Sequence, residues 1–290
     1  MAGSIVVTGG QGRLARALAS VGGARVWGLS RDDVDVADRA EIQEMLTRVR
    51  PEAVINAAVA GSVDGIETNP DAAFAVNAIA PGLLAEACAK SATPLIHIST
   101  DYVFGDSTGR AWREDDPVSP INAYGRMKVE GEHRVFAVSA QTCVARVAWL
   151  FGDGHDFIAR LLRNAHSNSV IVADDQIGSP TPILPLAGRL LELADKMVAG
   201  EANVPPLLHL AGDPPVSRAD WVATALEALE QAGRPQPHLI RASMDTFTSS
   251  APRPRFSALD NCRATALFGA PLDWRTATSS PDTFLAPPEI

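Results

Sequence analysis

A short, β-branched apolar run, Ser4-Ile5-Val6-Val7-Thr8, passes directly into Gly9-Gly10-Gln11-Gly12-Arg13-Leu14-Ala15, and Leu14-Ala15-Arg16-Ala17-Leu18-Ala19 then carries on as a strong helix former. Strand, glycine turn and helix in immediate succession leave few folds open. The apolar run fits a strand buried in a parallel sheet. The turn after it reads as a dinucleotide cradle, because glycines let the backbone approach a pyrophosphate and the helix N-terminus offers free N–H groups and a positive dipole. Ala15 stands at the third position of the fingerprint, where it still permits close helix-strand packing.

The alternation continues through residue 150. Glu41 to Arg50 reads as a helix, Ala53-Val54-Ile55-Asn56-Ala57-Ala58 as a strand, Asp71 to Lys90 as a long helix, Leu95 to Ser99 as a strand, and Thr142 to Val147 as another. This βαβ rhythm predicts an α/β fold, a Rossmann-like doubly wound parallel sheet with right-handed crossovers. Its ligands belong beyond the carboxyl ends of the strands, where Gly9, Asn56, Ser99, Thr100 and Trp149 cluster. From Phe151 onward the pattern loosens, with helices near Phe157 to Asn164, Pro182 to Val198 and Arg218 to Ala232, the last opened by a Ser217-x-x-Asp220 capping pattern. We expect a nucleotide-binding Rossmann domain over residues 1–152 and a smaller C-terminal substrate-binding lobe over 153–290, with some segments returning to the Rossmann core. Thr276 to Ile290, rich in Pro and Ser, reads as a mobile tail.

Tyr124 and Lys128 lie four residues apart in Asn122-Ala123-Tyr124-Gly125-Arg126-Met127-Lys128, downstream of the Ser99-Thr100 pair. A helix puts residues i and i+4 on one face, so the two side chains address one ligand together. A phenol titrates at about 10, and an adjacent ammonium brings that value toward the working range. A Ser or Thr hydroxyl then hydrogen-bonds the carbonyl oxygen that the Tyr proton reaches. The chemistry suited to this trio is ketone reduction or its reverse.

The second strand, read as Ala24 to Leu29, ends in Ser30-Arg31 where NAD-selective folds carry an acidic residue. A hydroxyl and a guanidinium suit a 2′-phosphate, which favours NADPH over NADH. Arg13 offers a second cation, whereas Asp32, Asp33 and Asp35 nearby offer the ribose a carboxylate. Net charge of −9 and a pI near 5.1 argue against nucleic acid and anionic membrane as partners. The first strand begins at residue 4, leaving no signal peptide, and no apolar run reaches the roughly 18 residues of a membrane span. A cytoplasmic enzyme is expected. Cys88, Cys143 and Cys262 read as small core residues. His97, His133, His155, His166, His209 and His238 lack metal-ligand spacing, so no catalytic metal is expected.

Together with Val54-Ile55-Asn56-Ala57-Ala58, Ser99-Thr100-Asp101-Tyr102-Val103-Phe104, Tyr124 to Glu132, Asp175-Gln176-Ile177-Gly178-Ser179-Pro180-Thr181 and Arg253-Pro254-Arg255-Phe256-Ser257-Ala258-Leu259-Asp260, the glycine turn gives six ordered segments. On these the chain resembles the extended short-chain dehydrogenase/reductases and, within them, the dTDP-4-dehydrorhamnose reductase family of nucleotide-sugar 4-ketoreductases. The resemblance implies NAD(P)H-dependent reduction at C4 of a 4-keto-6-deoxyhexose on a nucleoside diphosphate. It implies Tyr124 as proton donor, Lys128 at the nicotinamide ribose and lowering the Tyr pKa, and Thr100 at the C4 oxygen. Expected cofactor contacts are Gly9, Gln11, Gly12, Arg13, Leu14, Ser30, Arg31, Asp35, Val36, Asn56, Ala57 and Ala58, with Tyr124 and Lys128. Expected substrate contacts are Asp64, Thr100, Asp101, Tyr102, Trp149 and Arg253, with Arg253 and Arg255 toward the diphosphate. A homodimer is common among similar proteins.

Two departures bear on the substrate. Arg146-Val147-Ala148-Trp149 stands where the family often has Arg-Thr-Ser-Trp, and Phe256 stands where Asn is common. Both remove hydrogen-bonding groups, which suggests a less hydroxylated or differently configured sugar than the rhamnose precursor. A dehydratase is disfavoured, since Tyr102 follows Thr100-Asp101 where elimination requires an acidic pair. A 4-epimerase would use the same Tyr and Lys, and a catalytically silent binding subunit is the reading from another class.

Overall fold

The computed structural model describes residues 4–106, 109–138, 141–164 and 168–285; His166 and residues 286–290 of the expected tail lie outside these. The first half runs β1 (Ile5–Thr8), α1 (Arg13–Gly22), β2 (Val26–Leu29), α2 (Arg39–Val49), β3 (Ala53–Asn56), α3 (Val63–Thr68), α4 (Asp71–Lys90), β4 (Leu95–Thr100), α5 (Ala123–Phe136) and β5 (Thr142–Val147). The second half adds α6 (Phe157–Arg163), β6 (Ser169–Ala173), α7 (Ile183–Val198), β7 (Leu207–His209), α8 (Arg218–Gln231), β8 (His238–Ala242), α9 (Cys262–Phe268) and α10 (Trp274–Thr278).

Six strands form one parallel sheet in the order β7-β5-β4-β3-β1-β2. Successive residues of β1 face opposite layers, as the pleat requires. Ile5 and Val7 pack with Leu14 and Leu18 of α1 and Leu186 and Leu190 of α7. Val6 packs on the other face with Ile42 and Met45 of α2 and Leu84 and Cys88 of α4. Each such buried Leu or Ile contributes about 1.5–3 kcal/mol. The order reverses between β1 and β3, and their carboxyl ends at Thr8 and Asn56 open the crevice in which such sheets hold ligands.

Contrary to expectation, α4 is long and apolar enough to cross a membrane. Ala80, Leu84, Ala85, Ala87 and Cys88 are buried in the layer beneath the sheet, which accounts for that apolarity.

The second half sends α7 and β7 back to the sheet and builds a separate core from the remainder. Trp221 of α8 is its centre, with Phe151, Ile158, Val170, Val172, Trp274 and Phe284 around it and the parallel pair β6·β8 above. Ser217 caps α8 as expected, its Oγ accepting from Asp220 N at 3.0 Å. The start of the expected tail is instead structured: Thr278 and Phe284 are buried, and burial of the Phe284 ring fixes the chain there. Cys88 and Cys143 are core residues, but Cys262 is exposed at the first turn of α9.

Candidate active site

The cradle is main chain. Gly9 takes φ +73°, a conformation that L side chains rarely adopt, and a Cβ there would come within 2.8 Å of Ala58 Cα. The turn is closed by Gly12 N donating to Gly9 O and Gly10 N donating to Leu29 O, both at 2.7 Å. Gly12 caps α1 without a side chain, so the first N–H groups of that helix are left to a ligand. In front lies a cavity of ≈ 410 Å³ lined from the turn by Gly12 to Ala15, from the end of β3 by Ala57 and Ala58, and by Thr100, Tyr124 and Lys128. Free helix N–H groups above a glycine turn that no Cβ would fit suit the pyrophosphate of a dinucleotide.

The reactive trio lines the far wall of this cavity. Asn122 Oδ1 accepts from Gly125 N at 2.8 Å and so starts α5, while its Nδ2 donates to Pro252 O at 3.0 Å and ties the helix to the loop that carries Arg253. Gly125 permits the docking of α5 on the turn after β4, since a Cβ there would lie 2.0 Å from Tyr102 O. The Tyr102 and Tyr124 rings consequently meet edge to face at 6.2 Å. Thr100 Oγ1 donates to Asp101 Oδ1 at 3.0 Å and accepts from Tyr102 N at 3.2 Å.

Lys128 departs from its expected arrangement. Its Nζ donates to Ile98 O at 2.7 Å and sits 3.3 Å from His97 Nε2. Burial lowers its pKa to about 8, opposed by Glu132. Burial, and then Asp101, push Tyr124 up rather than down, with Thr100 opposing. Asp101 is itself raised to about 6 by burial, against the hydrogen bonds of Ser257 and Thr100.

A second cavity, ≈ 710 Å³, adjoins the first across Thr100-Asp101-Tyr102; Thr100 and Asp101 line one and Tyr102 the other. Its walls come from α6, β6, the start of α8 and residues 244–253, and they carry Arg160, Arg218 and Arg253 against the single carboxylate of Asp245. Arg253 forms a two-pronged pair with Asp64 at 2.6 and 2.8 Å, and Asp245 is held by Arg255 at 2.5 Å. Arg218 has no carboxylate in ion-pair contact among the described residues. Its Nε donates to Gln176 Oε1 at 2.7 Å, and its guanidinium lies 3.9 Å from the Trp149 ring centroid and 4.5 Å from that of Phe157. Burial lowers its pKa to about 10. A desolvated cation stacked on two aromatic faces without a carboxylate is costly in isolation and favourable beside an anion.

Trp149 joins the two cavities. Its backbone is left-handed, φ +39°, which turns the chain out of β5 and lays the indole against Gly178, where a Cβ would come within 2.3 Å of the ring. Its Nε1 is buried without a hydrogen-bond partner, in keeping with a pocket that lacks the hydroxyls absent at Val147 and Ala148.

Several expected contacts are otherwise engaged. Arg13 lines the cleft but its guanidinium is engaged; it donates to Asp153 Oδ1 at 2.7 Å and to Leu150 O at 3.0 Å, locking the glycine turn to the second half. Ser30 is bonded to Asp33 through both N and Oγ, and Arg31, largely exposed, stands 3.5 Å from Asp35. None of Ser30, Arg31, Asp35 and Val36 lines the cleft; Val36 is a core residue. The Asn56 side chain is buried, bonded to Thr8 and His97. Asp64 and Arg253, both expected to meet substrate, meet each other, and Arg255, itself outside the lining, is paired with Asp175 and with Asp245 of the cavity wall. Sequence reasoning missed Arg160, Gln176 and Arg218. Gln176 lay inside a noted motif, but Arg218 carried only the appearance of a first-turn helix residue.

A sequence model of the family described as the RmlD substrate binding domain matches residues 3–281. A dTDP-4-dehydrorhamnose reductase of Mycolicibacterium smegmatis is 38% identical over 96% of this chain and 84% of its own. A probable dTDP-4,6-dihydroxy-2-methyloxan-3-one 4-ketoreductase of Streptomyces antibioticus is 34% identical over 94% of this chain and 92% of its own. The crystal structure of a dTDP-4-dehydrorhamnose reductase from Bacillus anthracis in complex with NADP superposes with a TM-score of 0.86 at 24% identity, covering 96% of this chain and 98% of that one.

Proposed function

The chain belongs to the RmlD substrate-binding domain family, and from that premise we propose that it reduces the C4 ketone of a nucleotide-linked 4-keto-6-deoxyhexose with NADPH. The reading is carried by one observation: Thr100 and Tyr124 stand where a cleft suited to a dinucleotide meets a cavity lined by arginines. The part up to about residue 152 serves the cofactor and the remainder chiefly the sugar nucleotide. A bound reduced nicotinamide supplies a hydride at this junction. Thr100 Oγ1 orients the ketone oxygen, and Tyr124 gives that oxygen its proton. Lys128, directed into the cleft from the same helix face, holds the cofactor ribose. In a chain of net charge −9, Arg160 and Arg218 supply the local positive charge for a diphosphate. Arg31 and Ser30 at the end of β2 favour a 2′-phosphate, though Ser30 must leave Asp33 to do so.

Both sugars named for the relatives are 4-keto compounds on dTDP; Val147 and Ala148 line the smaller cleft and Phe256 lines neither cavity, so these apolar positions do not choose between them. The setting proposed is cytoplasmic, with a homodimer as the assembly. The test is NADPH consumption on adding dTDP-4-keto-6-deoxyglucose with and without the 3,5-epimerase that acts on it. Consumption only with the epimerase indicates the rhamnose precursor. Consumption without it indicates another deoxysugar, and none in either case points to another nucleotide, an epimerase or a regulatory subunit.

A further inference from the structure

Beneath the cofactor cleft, Thr8, Asn56, His97 and Lys128 form a hydrogen-bonded row whose direction is set from one end. The Ala58 N–H donates to Asn56 Oδ1 at 3.2 Å, and Thr8 Oγ1 donates to the same oxygen at 2.7 Å. A backbone N–H has no accepting role, so the Asn56 amide has one orientation, with Nδ2 3.0 Å from His97 Nδ1. An amide nitrogen only donates, and His97 Nδ1 therefore accepts. The ring is fully buried, and burial followed by the proximity of Lys128 holds its pKa well below the ordinary value. It is neutral, with its single proton on Nε2. That N–H points at Lys128 Nζ, 3.3 Å away. An ammonium offers three donors and no acceptor, so it would meet a donor there. A neutral amine instead accepts from His97 while donating to Ile98 O at 2.7 Å.

We propose that His97 is a positioning residue which, by donating from Nε2, favours the neutral Lys128 amine in the free protein at mildly alkaline pH, so that nucleotide binding there brings a proton to Lys128. The proposal rests on the reading of the cleft as the cofactor site. Ribose hydroxyls accept hydrogen bonds, and an ammonium makes the stronger, charge-assisted ones; binding draws Nζ from His97 toward them, and the proton comes from solvent.

The other groups around Lys128 leave this arrangement in place. Glu132, one turn along α5, favours the ammonium, but it is held by Arg146 of β5 in a buried pair at 2.7 Å and accepts from Ser99 of β4 at 2.5 Å. Tyr124, one turn back, is kept protonated by burial. Asp101, after β4, accepts from Thr100 and Ser257. Asn77 of α4 is uncharged and bonded to the Ala60 backbone.

The experiment is calorimetric titration of NADPH into the protein in buffers of differing ionisation enthalpy. With Lys128 near 8 in the free protein, uptake of about half a proton per nucleotide is expected at pH about 8, falling toward zero by pH about 6. His97→Leu should retain binding and take up measurably less, the remainder coming from burial of the amine. Native binding without uptake, or uptake unchanged in His97→Leu, overturns the proposal. Because Leu leaves Asn56 Nδ2 unpaired and the variant can fail to fold, nitrogen-15 NMR of the native His97 ring is the second measurement. A neutral ring protonated at Nε2 supports the proposal, and one protonated at Nδ1 or at both nitrogens overturns it. Failure of NADPH to bind would instead overturn the cofactor reading, and the ring measurement separates the two.

Discussion

The two cavities that meet at Thr100-Asp101-Tyr102 are built by different means. The smaller is made by main chain at strand ends: the Gly9 to Gly12 turn, the uncapped start of α1, and Ala57 and Ala58 after β3. The larger is made by side chains from segments far apart in sequence, Arg160 on α6, Gln176 after β6, Arg218 opening α8 and Arg253 in a loop. Backbone geometry makes the first suited to a dinucleotide. In the second a single substitution alters charge or hydrogen bonding, so selectivity between sugars is expected to reside there.

Substitutions can break this division. The largest effect is expected at the junction: Tyr124→Phe should lower kcat by roughly 10²–10⁴-fold, the usual loss for a positioned acid, with NADPH affinity nearly unchanged. Wild-type turnover in that variant would remove Tyr124 from the chemistry. Next, Arg218→Ala should raise KM for the sugar nucleotide by about 10–100-fold, the value of a lost charge-assisted hydrogen bond pair, and leave NADPH binding alone. A change in both, or in NADPH alone, would dissolve the distinction between the cavities.

The junction also has a stability signature. The folded-state pKa of Asp101, about 6, lies above its ordinary 3.8 because burial opposes ionisation. The folded state therefore binds more protons than the unfolded chain between these values, and stability falls as pH rises through that window. Asp101→Asn lacks this penalty. Its stability relative to wild type should increase by on the order of 2 kcal/mol between pH about 4 and about 6, read from denaturant midpoints at each pH. A pH-independent difference would refute the burial argument. The smallest effect is expected at the edge of the main-chain cavity: Arg31→Ala should reduce the NADPH-over-NADH preference by roughly fivefold, as befits an exposed charge, without altering KM for the sugar.

The parts legible in the sequence follow the same division. Gly9-Gly10-Gln11-Gly12 after an apolar run specifies its own local structure, and β1, β3, β4, β5 and helices α1, α2, α4 and α5 were readable from period and punctuation, whereas Asp64 to Glu67, read as a loop, lies in α3. Tyr124 and Lys128 fall on one helix face because their spacing forces it. What the sequence left hidden depends on distant partners. Arg13 is tied to Asp153 and Arg253 to Asp64, contacts across 140 and 189 residues, so neither is free in the way its local surroundings suggest. The stack of Arg218 on Trp149 and Phe157 requires α6, the end of β5 and α8 to converge. The direction of the Tyr124 pKa was misjudged because spacing places the Lys128 backbone but shows neither the burial that raises the phenol nor the Ile98 carbonyl and His97 ring that engage the amine. The tail was misread because Pro and Ser near the terminus concealed Phe284 as a core residue.

The measurement that tests the central claim most directly uses NADPH deuterated at the reactive nicotinamide carbon, with the 4-keto sugar nucleotide as substrate and NMR of the product. Deuterium at sugar C4 in a product formed one for one with oxidised cofactor is the result predicted. Deuterium retained on the cofactor while the sugar changes configuration, or no transfer to any 4-keto sugar nucleotide, would contradict it.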